Sequence, residues 1–307
     1  MEQTKVNESL SMECTLCPRD CHADRLHGNF GYCGQSWEIK AARAALHMWE
    51  EPCISGESGS GTVFFSGCPL RCVFCQNHNI ALGKAGATIT KERLVEIFFE
   101  LKEKGANNIN LVTPTHFIPQ IREALLLAKK QGLNIPIVYN TGSYECVKSL
   151  QMLEGIVDIY LPDFKYWGKD LAKKYSNAED YRERASAAIA EMLRQTGAPV
   201  MDDVTGLMKK GVIVRHLVLP EQVEDSKKIL KYLYETYKDD IYISILNQFT
   251  PVGDMSSYPE LTRTLTPEEY EEVVDYAIDL GITNGFIQEA GTVSPSYIPI
   301  FDGTGIL

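Results

Sequence analysis

Ser66-Gly67-Cys68-Pro69-Leu70-Arg71-Cys72-Val73-Phe74-Cys75-Gln76-Asn77 is the stretch that decides the fold. Its three cysteines have the spacing C-x3-C-x2-C and directly follow a β-like run, Thr62-Val63-Phe64-Phe65. Gly67 permits a sharp turn between strand and loop. A loop this short can fold three thiolates around one centre, and soft thiolates suit zinc, copper(I) or an iron–sulfur cluster. A structural zinc site is closed and tetrahedral and asks for a fourth protein ligand. Three cysteines with an aromatic residue before the third point instead to a [4Fe-4S] cluster whose fourth iron stays open to a non-protein ligand. The bland alternatives are a zinc knuckle or three unrelated thiols. Spacing, aromatic position and preceding strand all weigh against them.

Outward from this loop, the chain has 307 residues, enough for one large α/β domain with a small appendage. The formal charge of −11 argues against nonspecific nucleic-acid binding. No apolar run approaches the roughly 20 residues of a membrane span. The start, Met1-Glu2-Gln3-Thr4-Lys5, lacks the apolar centre of a signal peptide, so a cytoplasmic location is the expectation. Of nine cysteines, seven fall into two tight groups, which in a cytosolic chain favours metal binding over disulfides.

The second group is Cys14-Thr15-Leu16-Cys17-Pro18-Arg19-Asp20-Cys21 with Cys33, a C-x2-C-x3-C-x11-C pattern. Four thiolates from Gly- and Pro-rich loops can close a tetrahedral zinc site or hold a second iron–sulfur cluster. His22 and His27, inside the pattern, read as surface residues, because four cysteines suffice. Trp37 to Met48 is rich in alanine and reads as a helix joining this module to the main domain. Residues 1–60 are therefore expected to form a four-cysteine metal-binding module with a connecting helix, and 61–307 the main domain. Cys53 reads as a buried small hydrophobe; a ligand role is the weaker alternative. Gly56-Glu57-Ser58-Gly59-Ser60-Gly61 lacks the lysine and spacing of a phosphate loop.

From residue 62 onward strand and helix patterns alternate. Strands are expected at 62–66, 108–113, 136–140, 157–162, 211–219, 241–247 and 284–289. Helices are expected near 91–104, 117–131, 144–153, 177–195, 222–237 and 267–280. Ser176-Asn177-Ala178-Glu179 and Thr266-Pro267-Glu268-Glu269 both read as capping boxes, and Gly281 as a helix end. Repeated β-then-α units imply a parallel sheet with right-handed crossovers. Six or seven units are too few to close an eight-fold barrel. The insert 197–210 reads either as a substrate cover or as an exposed loop. The tail with Ser294-Pro295-Ser296-Tyr297 and 303–307 is expected at the barrel's lower mouth.

Cys68, Cys72 and Cys75, with Phe74 before the last, resemble the cluster loop of the radical SAM superfamily. The surrounding FFSGCPLRCVFCQN is similar to the branch of glycyl-radical-enzyme activating proteins, the pyruvate formate-lyase activase type. The N-terminal pattern also resembles one that precedes the radical SAM domain in activase-like proteins. The resemblance implies a partial (β/α)6 TIM-type barrel with ligands at the C-terminal strand ends. It implies S-adenosylmethionine on the open iron, cleaved by an electron to methionine and a 5′-deoxyadenosyl radical.

Strand-end residues carry the implied cofactor contacts. Where many relatives have Gly-Gly-Glu, this chain has Thr113-Pro114-Thr115-His116, so Thr113 and Thr115 are expected at the ammonium. His116 acts on substrate or caps the next helix. Asn140 and Thr141 match an Asp-Thr-Asn-Gly turn with the acid replaced. Asp163 and Lys165 match Leu-Asp-Leu-Lys, with the acid on ribose hydroxyls and the ammonium on the methionyl carboxylate. Arg215 and Leu217 match Arg-Tyr-Val-Val-Val-Pro, and Gln248 stands near a histidine position. Phe74 joins this set. No side-chain acid or base is required for the cleavage. A low-potential reductant, flavodoxin or ferredoxin, is the implied partner. The expected target is a glycyl radical enzyme; the alternatives are a peptide, nucleoside or small metabolite. A non-catalytic zinc or iron–sulfur protein is the reading from a different class.

Overall fold

The computed structural model describes residue 7, residues 9–288 and residues 299–307. Seven parallel strands form its frame: β2 (Ser60–Phe65), β4 (Ile109–Val112), β5 (Ile137–Thr141), β6 (Ile159–Pro162), β8 (Met208–Leu217), β9 (Tyr242–Leu246) and β10 (Gly285–Ile287). With β1 (Ile39–His47) and β3 (Ala87–Ile89), the sheet runs β10-β9-β8-β6-β5-β4-β2-β1-β3. Among the described residues β10 and β3 do not pair, so the sheet is an open, partial barrel. Helices Lys91–Glu103, Ile118–Lys130, Tyr181–Thr196, Val223–Tyr237 and Pro267–Leu280 supply the long crossovers. The mostly apolar strands β4, β5 and β6 are buried throughout, as expected for parallel strands covered on both faces.

The stretch read as a connecting helix is instead strand β1 (Ile39–His47). It pairs antiparallel with β2 from Ala41↔Phe65 to His47↔Ser60, and on its other side with β3 (Ala87–Ile89). Alanine favours helices, but here tertiary context decides. A register shift between Ala41 and Arg43 lets Ala41 and Ala42 both be fully buried. A boundary between residues 60 and 61 would cut this hydrogen-bonded pair, so the sheet begins at Ile39. The chain's end lies beside β1: Thr304 O accepts from Ala44 N at 2.8 Å and Ile306 is fully buried. Pro299, just ahead of this end, lines the cavity described below. Ser294 to Tyr297 lie outside the described residues.

Two further expectations change. The helix read at 177–195 is two helices, Lys169–Ser176 and Tyr181–Thr196. Ser176 closes the first and Asn177 caps its end in the left-handed region, φ 48°, so Ser176 starts no capping box. The box at Thr266 does form, with Gly281 as the left-handed cap. The 197–210 insert makes a small antiparallel strand, β7 (Val200–Met201), against β8. Leu207 would meet a Cβ on Gly56 at 2.8 Å, which places this insert by the 47–56 loop.

That loop shapes the interior. After β1 the chain turns into the short helix Pro52–Ser55. Cys53 and Ile54 are buried against Val138, Ile159, Leu161 and Ile213 of β5, β6 and β8. They form an apolar plug inside the sheet, and Glu50 reaches the strand-borne polar residues just ahead of it. Ile54→Ala should lower the unfolding free energy by about 2–5 kcal/mol in urea denaturation. A loss under about 0.5 kcal/mol would show that the plug is not close-packed.

Candidate active site

Several backbone and side-chain contacts fix the cysteine loop at the end of β2. Gly67 has φ 89°, and a Cβ there would lie 2.5 Å from Gln35 Cγ and 2.7 Å from Cys33 O, so only glycine fits. Ser66 N donates to Lys40 O, Gly67 N to Ile80 O and Val73 N to Tyr175 O, at 2.6–2.9 Å. Arg19 Nε donates to Pro69 O at 2.7 Å. His116 Nε2 donates to Ser66 O at 2.7 Å. His116 is thus a buried brace on the loop rather than a group facing substrate. Burial, then the charge of Arg25, lowers its pKa to about 3. Cys72 is buried, while Cys68 and Cys75 are half-buried.

A cavity of about 580 Å³ opens beside this loop. Cys68, Cys72, Cys75 and Phe74 line one side of it, and Thr113, Asn140, Thr141, Asp163, Lys165, Arg215, Leu217 and Gln248 line the strand ends. The fold therefore gathers every residue expected at the cofactor except Thr115. Thr115 is buried away from the cavity and donates to Glu145 Oε1 at 2.7 Å. Tyr139 and Thr141 donate to the same oxygen. Burial, opposed by these hydroxyls, raises the Glu145 pKa to about 7. The sequence reading missed Glu145 because only the fold brings its three donors together. Phe74 also has a packing role, lying edge-on to Tyr166, Tyr175 and Phe249.

Across the cavity runs a chain of ions with alternating sign. Lys165 Nζ donates to Asp163 Oδ2 at 2.6 Å. Arg215 Nε donates to Asp163 Oδ1 at 2.8 Å, Nη1 to Glu50 Oε2 at 3.0 Å and Nη2 to Asn140 Oδ1 at 2.7 Å. Glu50 also accepts from Asn110 and Asn140. A largely buried guanidinium is costly unless paired, and here three partners surround it. Burial alone would raise the Asp163 pKa, but Arg215 and Lys165 hold it below the usual carboxylate range. Burial would lower the Lys165 pKa, but Asp163 and then the Cys72 sulfur push it up. Glu50 was not expected at the site. It comes from the 47–56 loop, whose entry into the barrel no local pattern shows. The cavity rim carries the exposed Met48 and Trp49.

The donor set fits a cluster with one open iron. Three thiols border a cavity with room for a small-molecule ligand, and the ion chain offers both carboxylate and ammonium groups. Two donors already face the sulfurs: Ser176 Oγ to Cys72 Sγ at 3.0 Å and Leu70 N to Cys68 Sγ at 3.4 Å. Among the described residues, no three or more His, Cys, Asp or Glu side chains are gathered tightly enough for a single metal ion. A four-iron core does not require that, since each thiolate meets a different iron.

The Radical SAM superfamily model matches residues 62–233, more than half of the chain. The chain belongs to the radical SAM superfamily. That family membership implies a [4Fe-4S] cluster and S-adenosylmethionine. An uncharacterized protein of Methanocaldococcus jannaschii, MJ0674, is 26% identical over 284 residues, covering 90% of this chain and 77% of that protein. Streptococcus suis SuiB, solved with its precursor peptide SuiA, superposes with a TM-score of 0.50 at 13% identity, which shows a shared fold. The match covers 73% of this radical SAM chain and 47% of SuiB, so the chain spans about half of SuiB's length. A domain of pyruvate-formate lyase-activating enzyme from Bacteroides vulgatus aligns over 56% of this chain and 91% of that domain. Its TM-score of 0.36, at 12% identity, is too low to bear on function. No described helix is long and apolar enough to cross a membrane.

Hydrogen bonds to cluster-ligating sulfurs help set the reduction potential, and a donor favours the more negative, reduced state. Ser176→Ala should therefore lower the cluster's potential in an anaerobic redox titration followed by electron paramagnetic resonance, with iron content unchanged. An unaltered potential would show that the Ser176 hydroxyl does not act on Cys72.

Proposed function

We propose that this chain is a radical SAM enzyme that abstracts hydrogen from a substrate entering the cavity beside Cys68, Cys72 and Cys75. The observation carrying this reading is that one cavity holds the three cysteines together with Thr113, Asn140, Asp163, Lys165 and Arg215. When bound, the [4Fe-4S] cluster and S-adenosylmethionine supply one-electron cleavage of the sulfonium and a hydrogen-abstracting radical.

The chain's own residues bind and orient. Cys68, Cys72 and Cys75 hold the irons, with Ser176 Oγ and Leu70 N donating to two of the sulfurs. Lys165 uses one donor on Asp163 and keeps others for the methionyl carboxylate. Each Asp163 oxygen accepts one cationic donor and retains capacity for a ribose hydroxyl. Arg215, fixed by Asp163, Glu50 and Asn140, positions these groups rather than moving toward the cofactor. Leu70, Phe74 and Leu217 wall the cavity with apolar surface and exclude water.

The target we favour is a glycyl radical enzyme, with a low-potential flavodoxin or ferredoxin as reductant. The FFSGCPLRCVFCQN loop and the Asp163 and Lys165 strand end support this through their likeness to activases. Cys14, Cys17, Cys21 and Cys33 are read as a second metal site, zinc or iron–sulfur. Cys68→Ala, Cys72→Ala and Cys75→Ala should each abolish 5′-deoxyadenosine formation by the reduced, reconstituted protein. Full activity in any one of them would contradict the reading. A glycyl radical signal on an added partner enzyme would support the activase assignment. Nucleoside formation without that signal, when a peptide or metabolite is consumed, would replace it.

A further inference from the structure

We propose that Cys14, Cys17, Cys21 and Cys33 hold an anionic metal–thiolate centre whose counter-charge is Arg25, seated directly against the loop that carries Cys68. This rests on reading the four cysteines as a second metal site, and it adds the charge partner and the placement.

Arg25 is the largest of the fully buried side chains, with 0% of its surface exposed. Its donors go to Ser36 O at 2.6 and 3.1 Å, Gln35 O at 3.3 Å and His116 O at 2.7 Å. Nη1 also points at Cys14 Sγ, 3.6 Å away. Its guanidinium lies over Trp37 and Phe117 at 5.4 and 5.7 Å. Among the described residues no carboxylate pairs with it. Carbonyls and ring faces satisfy its hydrogen bonds but carry no net charge, and a buried cation without an anion is strongly disfavoured.

The neighbouring anion is the cysteine set itself. Cys14, Cys17 and Cys33 are buried and Cys21 is half-buried. A Cβ on Gly31 would lie 3.3 Å from Cys21 Sγ and 3.5 Å from Cys33 Sγ, so these sulfurs flank one glycine. Four uncharged thiols would leave Arg25 unbalanced. Bound to metal they are thiolates, and four of them outweigh the charge of a zinc ion or an iron–sulfur core. Arg25 then balances a negative centre.

The centre adjoins the radical-site loop through several contacts. Cys33 O lies 2.7 Å from where a Cβ on Gly67 would stand, one residue before Cys68. Arg25 holds His116 O, and the His116 ring holds Ser66 O. Arg19, between Cys17 and Cys21, holds Pro69 O.

The test uses the full chain with Cys68, Cys72 and Cys75 all changed to alanine, reconstituted anaerobically with iron, sulfide and zinc. Metal and sulfide are then counted, and circular dichroism checks the fold. Retained iron with sulfide, or retained zinc, supports the centre. No bound metal in folded protein overturns the second-site reading itself. In the same background Arg25→Met and Arg25→Gln, the latter keeping hydrogen-bonding capacity without charge, should lose at least half of the metal. Arg25→Lys should keep most of it. Full metal in folded Arg25→Met or Arg25→Gln protein, or equal loss in Arg25→Lys, overturns the counter-charge role while leaving the second site standing.

Discussion

Placing Arg215, largely buried, within a sheet of mostly apolar strands is the constraint on which the site depends. Its guanidinium must find anions and acceptors within reach, and it draws them from separate parts of the chain. Asp163 comes from the end of β6, Asn140 from β5 and Glu50 from the loop after β1. Lys165 extends the alternation toward the cysteines. A network of paired, largely buried charges is rigid, because removing one member strands the others. That rigidity suits a cavity that must hold a charged small molecule in one pose beside a metal cluster.

The same logic runs on the other side of the cysteine loop. Gly67 has no room for a side chain because the N-terminal module packs against it. Arg25, His116 and Arg19 tie that module to Ser66 and Pro69. The loop is thus held between a polar interior and a cysteine-rich appendage, with Arg215 on one side and Arg25 on the other. The appendage is part of the support of the site, not a tethered accessory.

Much of this was legible in the sequence, for identifiable reasons. The C-x3-C-x2-C loop after a strand is a local pattern. The apolar strands β4, β5 and β6 and the amphipathic helices announce themselves by period. Polar residues at strand ends follow from the rule that such folds collect ligands there, and nine of the ten expected cofactor residues line the cavity. Thr115 failed because a 3-10 turn over Thr115–Phe117 carries it behind the strand end toward Glu145. Strand β1 failed because alanine's helical preference was outweighed by pairing on both sides. Glu50 and Ile54 were invisible because the 47–56 loop enters the barrel through long-range packing. The contacts of Arg25 were equally hidden, since its partners are mostly backbone carbonyls that leave no trace in sequence.

The reading proposed for the cavity beside Cys68, Cys72 and Cys75 has S-adenosylmethionine on the open iron of the cluster. The most direct measurement is the electron paramagnetic resonance spectrum of the reduced, anaerobically reconstituted protein with and without S-adenosylmethionine. A [4Fe-4S] signal whose g-values shift when the ligand is added is expected. This shift should weaken in the Asp163→Asn variant at equal cluster content. A [4Fe-4S] spectrum unchanged by saturating S-adenosylmethionine would contradict that reading.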